Sequence, residues 1–289
     1  MDKIKLIADA TCDIDRELAK KYDIDIIPVN VIVDGKNYLS EIEISTEEVY
    51  KIVENEPNRI KTAHPTPEQF INSFKKAAED GYTAIIVVVI NSRAAGTQQC
   101  VQLSRELFYE ETGRTDIRIE IVDSGSYTLL FGSCVLNMRK LIDEGKSVDE
   151  LVAYAEDYCS RICAFAVLGT LDHLKKTGRV SGAAGFIGNV LDIKPIIFVG
   201  ERDVKAYGKI RGRRNIIPKL LELAKSMVDE NCKDFIVLGG NNEKEMEELT
   251  LACEEEFKVK PKIISKVGCA LSVNTGTDLV GLGFLRKKD

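Results

Sequence analysis

Ala84-Ile85-Ile86-Val87-Val88-Val89-Ile90, running into Asn91-Ser92-Arg93-Ala94-Ala95-Gly96-Thr97, is the stretch on which the fold turns. It is an unbroken apolar run, mostly β-branched, with no polar residue alternating into it. That pattern predicts a strand buried on both faces. The run is too short to cross a bilayer. A turn of small and polar residues follows, then a helix. The same order recurs on either side. Lys5–Ala8 is a short apolar strand that leads through Asp9-Ala10-Thr11-Cys12-Asp13 into a helical pattern over Asp13–Lys21. Ile117–Val122 is a strand that leads through Asp123-Ser124-Gly125-Ser126 into another helix. Strand, turn and helix in repetition predict a parallel sheet with helices on both faces. Between these units, Ile26–Val33 reads as one strand, with Pro28 marking an edge or a bulge. Helices are expected to begin at Ser45 or Thr46 with Glu48, and at Thr66-Pro67-Glu68-Gln69.

The second half has a different rhythm. Strand patterns fall on Ala164–Leu168, Pro195–Val199, Val204–Arg211, Phe235–Leu238, Ile263–Val267 and Asp278–Phe284. Long helices are expected over Arg214–Asp229 and Glu243–Phe257, and Gly200-Glu201-Arg202-Asp203 reads as a hairpin turn. Hairpins mixed with helices predict a mixed sheet covered on one face. The expected architecture is therefore α/β throughout. Residues 1–160 form a three-layer α/β/α domain with a parallel sheet, and residues 161–289 a two-layer α/β domain with a mixed sheet.

Bulk properties narrow the function. The chain has 289 residues and a formal net charge of -6, a poor balance for nucleic-acid binding, which is driven by phosphate neutralisation. Its eight cysteines are scattered with no Cys-x-x-Cys pair, and it has only two histidines. A structural zinc site is therefore not expected, nor any other cofactor. Met1-Asp2-Lys3-Ile4-Lys5 lacks the pattern of a signal peptide. Together with the absence of a long apolar run, this predicts a cytoplasmic protein with reduced thiols and no transmembrane segment. There is no P-loop motif, no Gly-x-Gly-x-x-Gly after the first strand, and no nucleophile elbow near either histidine. Asp9 and Asp13 are too widely spaced for magnesium-dependent phosphatase chemistry. A binding module fits better than an enzyme.

In open parallel sheets, ligands sit beyond the carboxyl ends of the strands. The turns Asp9–Asp13, Asn91–Thr97 and Asp123–Ser126 all lie there. Each alone is accounted for by ordinary helix capping. Their convergence at one edge is what predicts a ligand site, with Lys61-Thr62-Ala63-His64-Pro65-Thr66 joining them. Helix N-termini favour an anion, and Gly96 permits close approach to the backbone.

Several runs, in order along the chain, are similar to one family. Asp9–Asp13 resembles an Asp-Ser/Thr-Thr/Ser-x-Asp run, and Thr62–Pro67 a Thr-Ser-Gln-Pro-Thr/Ser-Pro run. Ile90–Thr97 resembles Ile-Ser-Ser-x-Leu-Ser-Gly-Thr, and Asp123-Ser124 an Asp-Ser turn. Gly169-Thr170-Leu171-Asp172-His173-Leu174-Lys175-Lys176-Thr177-Gly178-Arg179-Val180 resembles a Thr-Leu and Leu-Lys-Lys-Gly-Gly-Arg run. Ser181–Leu191 looks like its small-residue helix, Asp192-Ile193-Lys194-Pro195 carries its Ile-Lys-Pro, and Ser272–Thr277 is similar to its Gly-x-His-x-Gly-Pro run. The chain resembles the bacterial DegV family.

The resemblance implies a protein that binds a long-chain fatty acid in a buried pocket between its domains. It also implies that the carboxylate is presented to a separate fatty acid kinase subunit, giving an acyl phosphate for phospholipid synthesis. By resemblance, Thr62 binds the carboxylate. Ala95 stands where the family has a second binding serine, and Asn274, beside Thr275, where it has a histidine. Ser92, Thr97 and His64 are the candidates to supply donors in their place, and Gly96 and Ser124 are further candidates for the ligand site. Phe186, Ile187, Val190 and Leu191 are expected to line the acyl tail. A long buried chain, at roughly 0.8 kcal/mol per methylene, contributes about 11 kcal/mol before association costs. Lys175, Lys176, Arg179 and Arg211, with Lys209, Arg213 and Arg214 nearby, form a basic stretch. Residues matching Arg179 and Arg211 dock the kinase in the family. The alternative reading is a small-molecule or phosphate-ester enzyme of the dihydroxyacetone-kinase-like fold.

Overall fold

In the computed structural model, which describes residues 2–183 and 192–288, β6 (Ala84–Val89) is buried along its whole length. So is β1 (Ile4–Asp9). Strands buried on both faces need helices on both faces, and the surrounding sheet supplies that setting. Its order is β2-β1-β6-β7, with β2 at Ile24–Ile27 and β7 at Arg118–Asp123, and every pairing is parallel. On one face Ile7, Ile85, Val87, Val89 and Ile119 pack with Phe70 and Phe74 of α3 (Pro67–Glu79) and Val101 and Phe108 of α4 (Thr97–Thr112). The Phe74 and Phe108 rings meet edge to face at 5.9 Å. Leu6, Ala8, Ile86 and Val88, on the alternate positions, are equally buried. α5 (Thr128–Asp143), buried without interruption from Thr128 to Met138, packs on β1. α1 (Arg16–Lys21) connects β1 to β2.

The second sheet has the order β10-β9-β8-β13-β11-β12. Its strands are β8 (Ile162–Leu168), β9 (Ile193–Gly200), β10 (Asp203–Arg211), β11 (Ile236–Gly239), β12 (Ile263–Lys266) and β13 (Leu279–Leu285). Only β11 and β12 pair in parallel, so the sheet is mixed. At the expected hairpin, Gly200 opposes Asp203, and Glu201 and Arg202 both take positive φ. That is the backbone twist a two-residue hairpin needs. One face packs Phe165, Phe198, Val237, Leu282 and Phe284 against α8 (Ile216–Met227) and α9 (Glu243–Phe257). On the other face Ala166 opposes Gly281 and Ala164 opposes Gly283, so the two central strands carry only small residues there. Burial pushes the Cys163 and Cys253 thiols up to about 12, so both serve as small apolar fillers.

The compact units are not contiguous in sequence. One comprises Met1–Ile44 and Thr62–Cys159, the other Ser45–Lys61 and Ser160–Asp289. The excursion carries α2 (Thr46–Asn55), whose N-terminus has the capping box read from Ser45 and Glu48. The Tyr50 hydroxyl donates to Val267 O at 2.6 Å, and Glu54 accepts from Thr277 Oγ1 at 2.8 Å and from Asn241. A single cut near residue 160 passes over this excursion. α6 (Val148–Arg161) closes the first half, and α7 (Asp172–Lys176) and α10 (Cys269–Thr275) complete the helices described.

One expected strand is two. Ile26–Val33 breaks at Pro28-Val29 into β2 and β3 (Asn30–Val33). Pro28 has no N–H to continue a ladder, and its carbonyl instead accepts from Gln69 Nε2 at 3.0 Å. β3 belongs to a separate sheet of order β4-β3-β5, with β4 at Lys36–Leu39 and β5 at Ile60–Ala63. The Asp34-Gly35 turn between β3 and β4, both residues at positive φ, is a strong hairpin signal that the sequence reading passed over. Phe186, Ile187, Val190 and Leu191 lie outside the described residues. Among the described residues, no helix is long and apolar enough to cross a membrane.

Candidate functional site

β1 has its sequence-next strand, β2, on one side and β6 on the other, so the strand order reverses there. Such a switch point opens a crevice at the carboxyl ends of the strands. Asp9 closes its floor. Its carboxylate accepts from Thr11 N at 3.0 Å, from the Thr11 hydroxyl, and from Ile90 N at 2.9 Å. Complete burial still raises the Asp9 carboxyl above its ordinary value, against the lowering effect of those three donors.

The turns after β6 and β7 meet beside it. Ser92 N donates to Asp123 Oδ1 at 3.1 Å, Asn91 N to Ser126 O at 3.1 Å, and Asn91 Nδ2 to the Tyr127 hydroxyl at 3.1 Å. The Asp9–Asp13 turn joins them through Asp13, which accepts from Thr128 Oγ1 at 2.6 Å. Thr128 sits at φ 51, a costly conformation for a β-branched residue.

The segment leaving β5 also reaches this edge. The His64 ring lies against Gly96: a Cβ there would stand 3.3 Å from both Cδ2 and Nε2. Pro65 O can only accept, so Nδ1, 2.8 Å away, carries the hydrogen, and Nε2 of the neutral ring is an acceptor. Asn30 Nδ2 donates to His64 O at 2.9 Å, and Cys100 Sγ to Pro65 O at 3.2 Å, which fixes the segment between β3 and α4. α4 starts after Gly96 with no side-chain cap, so its positive end faces His64. Thr62 is half-buried on β5, two residues before His64. Thr97 is buried, and Ala95 is half-buried and has no donor to offer.

Other candidates are committed locally. The Ser124 hydroxyl accepts from Ser126 N at 3.1 Å. Asn274 Nδ2 donates to Ala270 O at 2.7 Å, and Thr275 Oγ1 to Leu271 O at 3.0 Å, both within α10. In that unit the His173 ring faces Gly276, whose Cβ would come within 3.2 Å of it. The basic residues also divide. Arg213 is held by Glu245, at 3.0 and 3.1 Å, and by Asp278 at 3.1 Å. Lys176 Nζ donates to Asn58 at 2.7 Å, and Arg179 to Thr177 O at 3.4 Å. Lys175 and Arg211 are exposed. Ser181, two residues past Arg179, pairs with Lys205, six residues before Arg211 on β10. About 20 Å of strand therefore separates Ser181 from Arg211.

The model of a family described as "Uncharacterised protein, DegV family" matches residues 3–287. The chain belongs to the DegV family. A DegV domain-containing protein of Clostridium acetobutylicum is 32% identical over 99% of this chain and all of its own length. One of Caldanaerobacter subterraneus is 28% identical over 99% of this chain and 100% of the relative. Among solved structures, a stearic acid-binding protein from Eubacterium ventriosum superposes with a TM-score of 0.88 at 25% identity, over 98% of each chain. A DegV lipid binding protein from Thermotoga maritima does so with a TM-score of 0.86 at 26% identity, over 99% of this chain and 100% of the other. The α/β fold with one parallel and one mixed sheet is thus the DegV fold. In this DegV chain the contacts that sequence reasoning did not reach are the Asn30–His64 tie and the strained Thr128. Neither has a local signature, since each depends on residues far apart in sequence.

Proposed function

We propose that this protein binds a long-chain fatty acid. The observation that carries this reading is its likeness over nearly the whole chain to a stearic acid-binding protein. The local geometry supports it. Thr62 and the uncapped start of α4 at Gly96 are disposed to take an anionic head, and so is His64 Nε2 when the ring is the imidazolium. In this reading the carboxylate lies at Gly96, with the Thr62 hydroxyl and the His64 imidazolium, donating from Nε2, replacing the donor that Ala95 lacks. Ser92 and Thr97 flank it.

The finer part of the proposal is that the protein is not itself an enzyme and hands the carboxylate to a separate kinase, which phosphorylates it. Its support is the exposed basic residues Lys175 and Arg211 with Lys176 and Arg179, on a chain that is acidic as a whole. Native mass spectrometry of purified protein tests the binding step. A mass excess equal to one long-chain acid, released on denaturation, is expected. A ligand-free mass with no uptake of added palmitate, stearate or oleate would overturn it.

A further inference from the structure

Among the described residues, one buried side-chain oxygen has no hydrogen-bond partner, the hydroxyl of Ser126. The residue is only 3% exposed. The other deeply buried serines show how unusual this is. Ser104 donates to Cys100 O, Ser133 to Leu130 O, Ser272 to Cys269 O and Ser73 to Asp25, while Ser40 accepts from Val29 N. Buried hydroxyls are normally satisfied, because stripping water from one without replacement is costly.

Its position gives the exception a meaning. Ser126 O accepts from Asn91 N at 3.1 Å, so the residue lies on the seam between the turns after β7 and β6. It directly precedes Tyr127, the N-cap residue of α5, a helix of 16 residues that starts with no side-chain cap. The next residue but one is Thr128, held at φ 51 by its bond to Asp13. Backbone strain of this kind collects at binding sites, where the surrounding structure imposes it.

We infer that Ser126 is a ligand-binding residue whose hydroxyl donates to an acceptor oxygen of the bound molecule's head group at this seam. A hydroxyl missing a partner can be satisfied by a carboxylate oxygen. An uncapped helix start adjacent to it favours the same negative charge. The inference rests on the proposed binding of a fatty acid, and adds to it a donor from the turn after β7.

Ser126→Ala separates this role from a structural one. Removing an unpartnered buried hydroxyl leaves the ligand-free protein as stable as before or more so. Removing a donor to a charged oxygen weakens binding. Palmitate and 1-hexadecanol, titrated into delipidated wild type and variant, are the probes. The expected result is a thermal midpoint of ligand-free Ser126→Ala at or above wild type, palmitate affinity lower by roughly ten- to a hundredfold, and hexadecanol affinity changed far less. Ser126→Cys, nearly the same shape with a weak donor, should fall between, and serves as the test if the alanine variant does not fold. Wild type that binds palmitate with variants that match it would overturn the Ser126 assignment alone. A lower midpoint in the ligand-free variant with unchanged affinity would do the same and mark the hydroxyl as structural. Wild type that takes up neither probe would overturn the binding proposal and this inference together.

Discussion

Thr62→Val asks the head-group question with least disturbance, because it removes a hydroxyl at nearly constant shape. If Thr62 donates to a carboxylate, affinity for a long-chain acid should fall by about 1.5–3 kcal/mol. Displacement of a fluorescent fatty acid reads this directly, and an unchanged affinity would place the head elsewhere. His173 supports a second prediction at this scale, on stability. Partial burial lowers its imidazole below the ordinary value of 6.5; Asp172 opposes the shift and Lys176 adds to it. A histidine depressed by folding contributes stability that is complete above its unfolded value and is lost as pH falls toward its folded value. Denaturant midpoints should therefore drop as pH falls through about 6.5 and below, and His173→Gln should flatten that part of the profile. A profile of the same slope in the variant would assign it to other groups. Thr62 could be named as a candidate because a sequence run carried the resemblance. The closeness of His173 to Gly276 was not, since more than a hundred residues separate them along the chain.

Among the elements, α5 shows how packing outranks propensity. Gly132 lies in its interior, where alanine is preferred by about 1 kcal/mol. Yet a Cβ there would stand 2.3 Å from Cys12 O and 3.2 Å from Ile14 Cγ1. A backbone oxygen cannot swing aside as a side chain can. Gly132→Ala should thus destabilise the protein by about 1–3 kcal/mol despite the better helix former, as overpacking does. Chemical denaturation checks the sign, and a gain in stability would show that the turn after β1 yields. The helix starts at Ser45 and Thr66 were readable because capping is local chemistry. The break at Pro28 was only half readable. Proline announced an interruption, but whether the chain continued in the same sheet depended on which strands waited on either side.

For the molecule as a whole, the testable issue is delivery. If the basic residues receive a kinase, Arg179→Ala with Arg211→Ala should leave ligand affinity unchanged and slow acyl-phosphate formation. The loss should shrink as salt rises, because screening removes the wild-type advantage. Because Ser181 and Arg211 are some 20 Å apart along the strand, each single variant should retain part of the rate. Normal turnover by the double variant at low salt would return these residues to a solvated face.

Sequence alone determined what local physics can impose. The unbroken apolar run at Ala84–Val89 demanded a doubly covered strand, the capping residues fixed helix starts, and the motif order disclosed the family. Tertiary structure decided what depends on distant residues meeting. It assigned Ser45–Lys61 to the second unit through Tyr50 and Glu54. It turned Arg213 from a free cation into the partner of Glu245 and Asp278. It set the His64 ring on Gly96 and left the Ser126 hydroxyl buried without a partner. Hydrogen-bond satisfaction is a property of three-dimensional neighbours, so no periodicity or spacing in the chain could have revealed it.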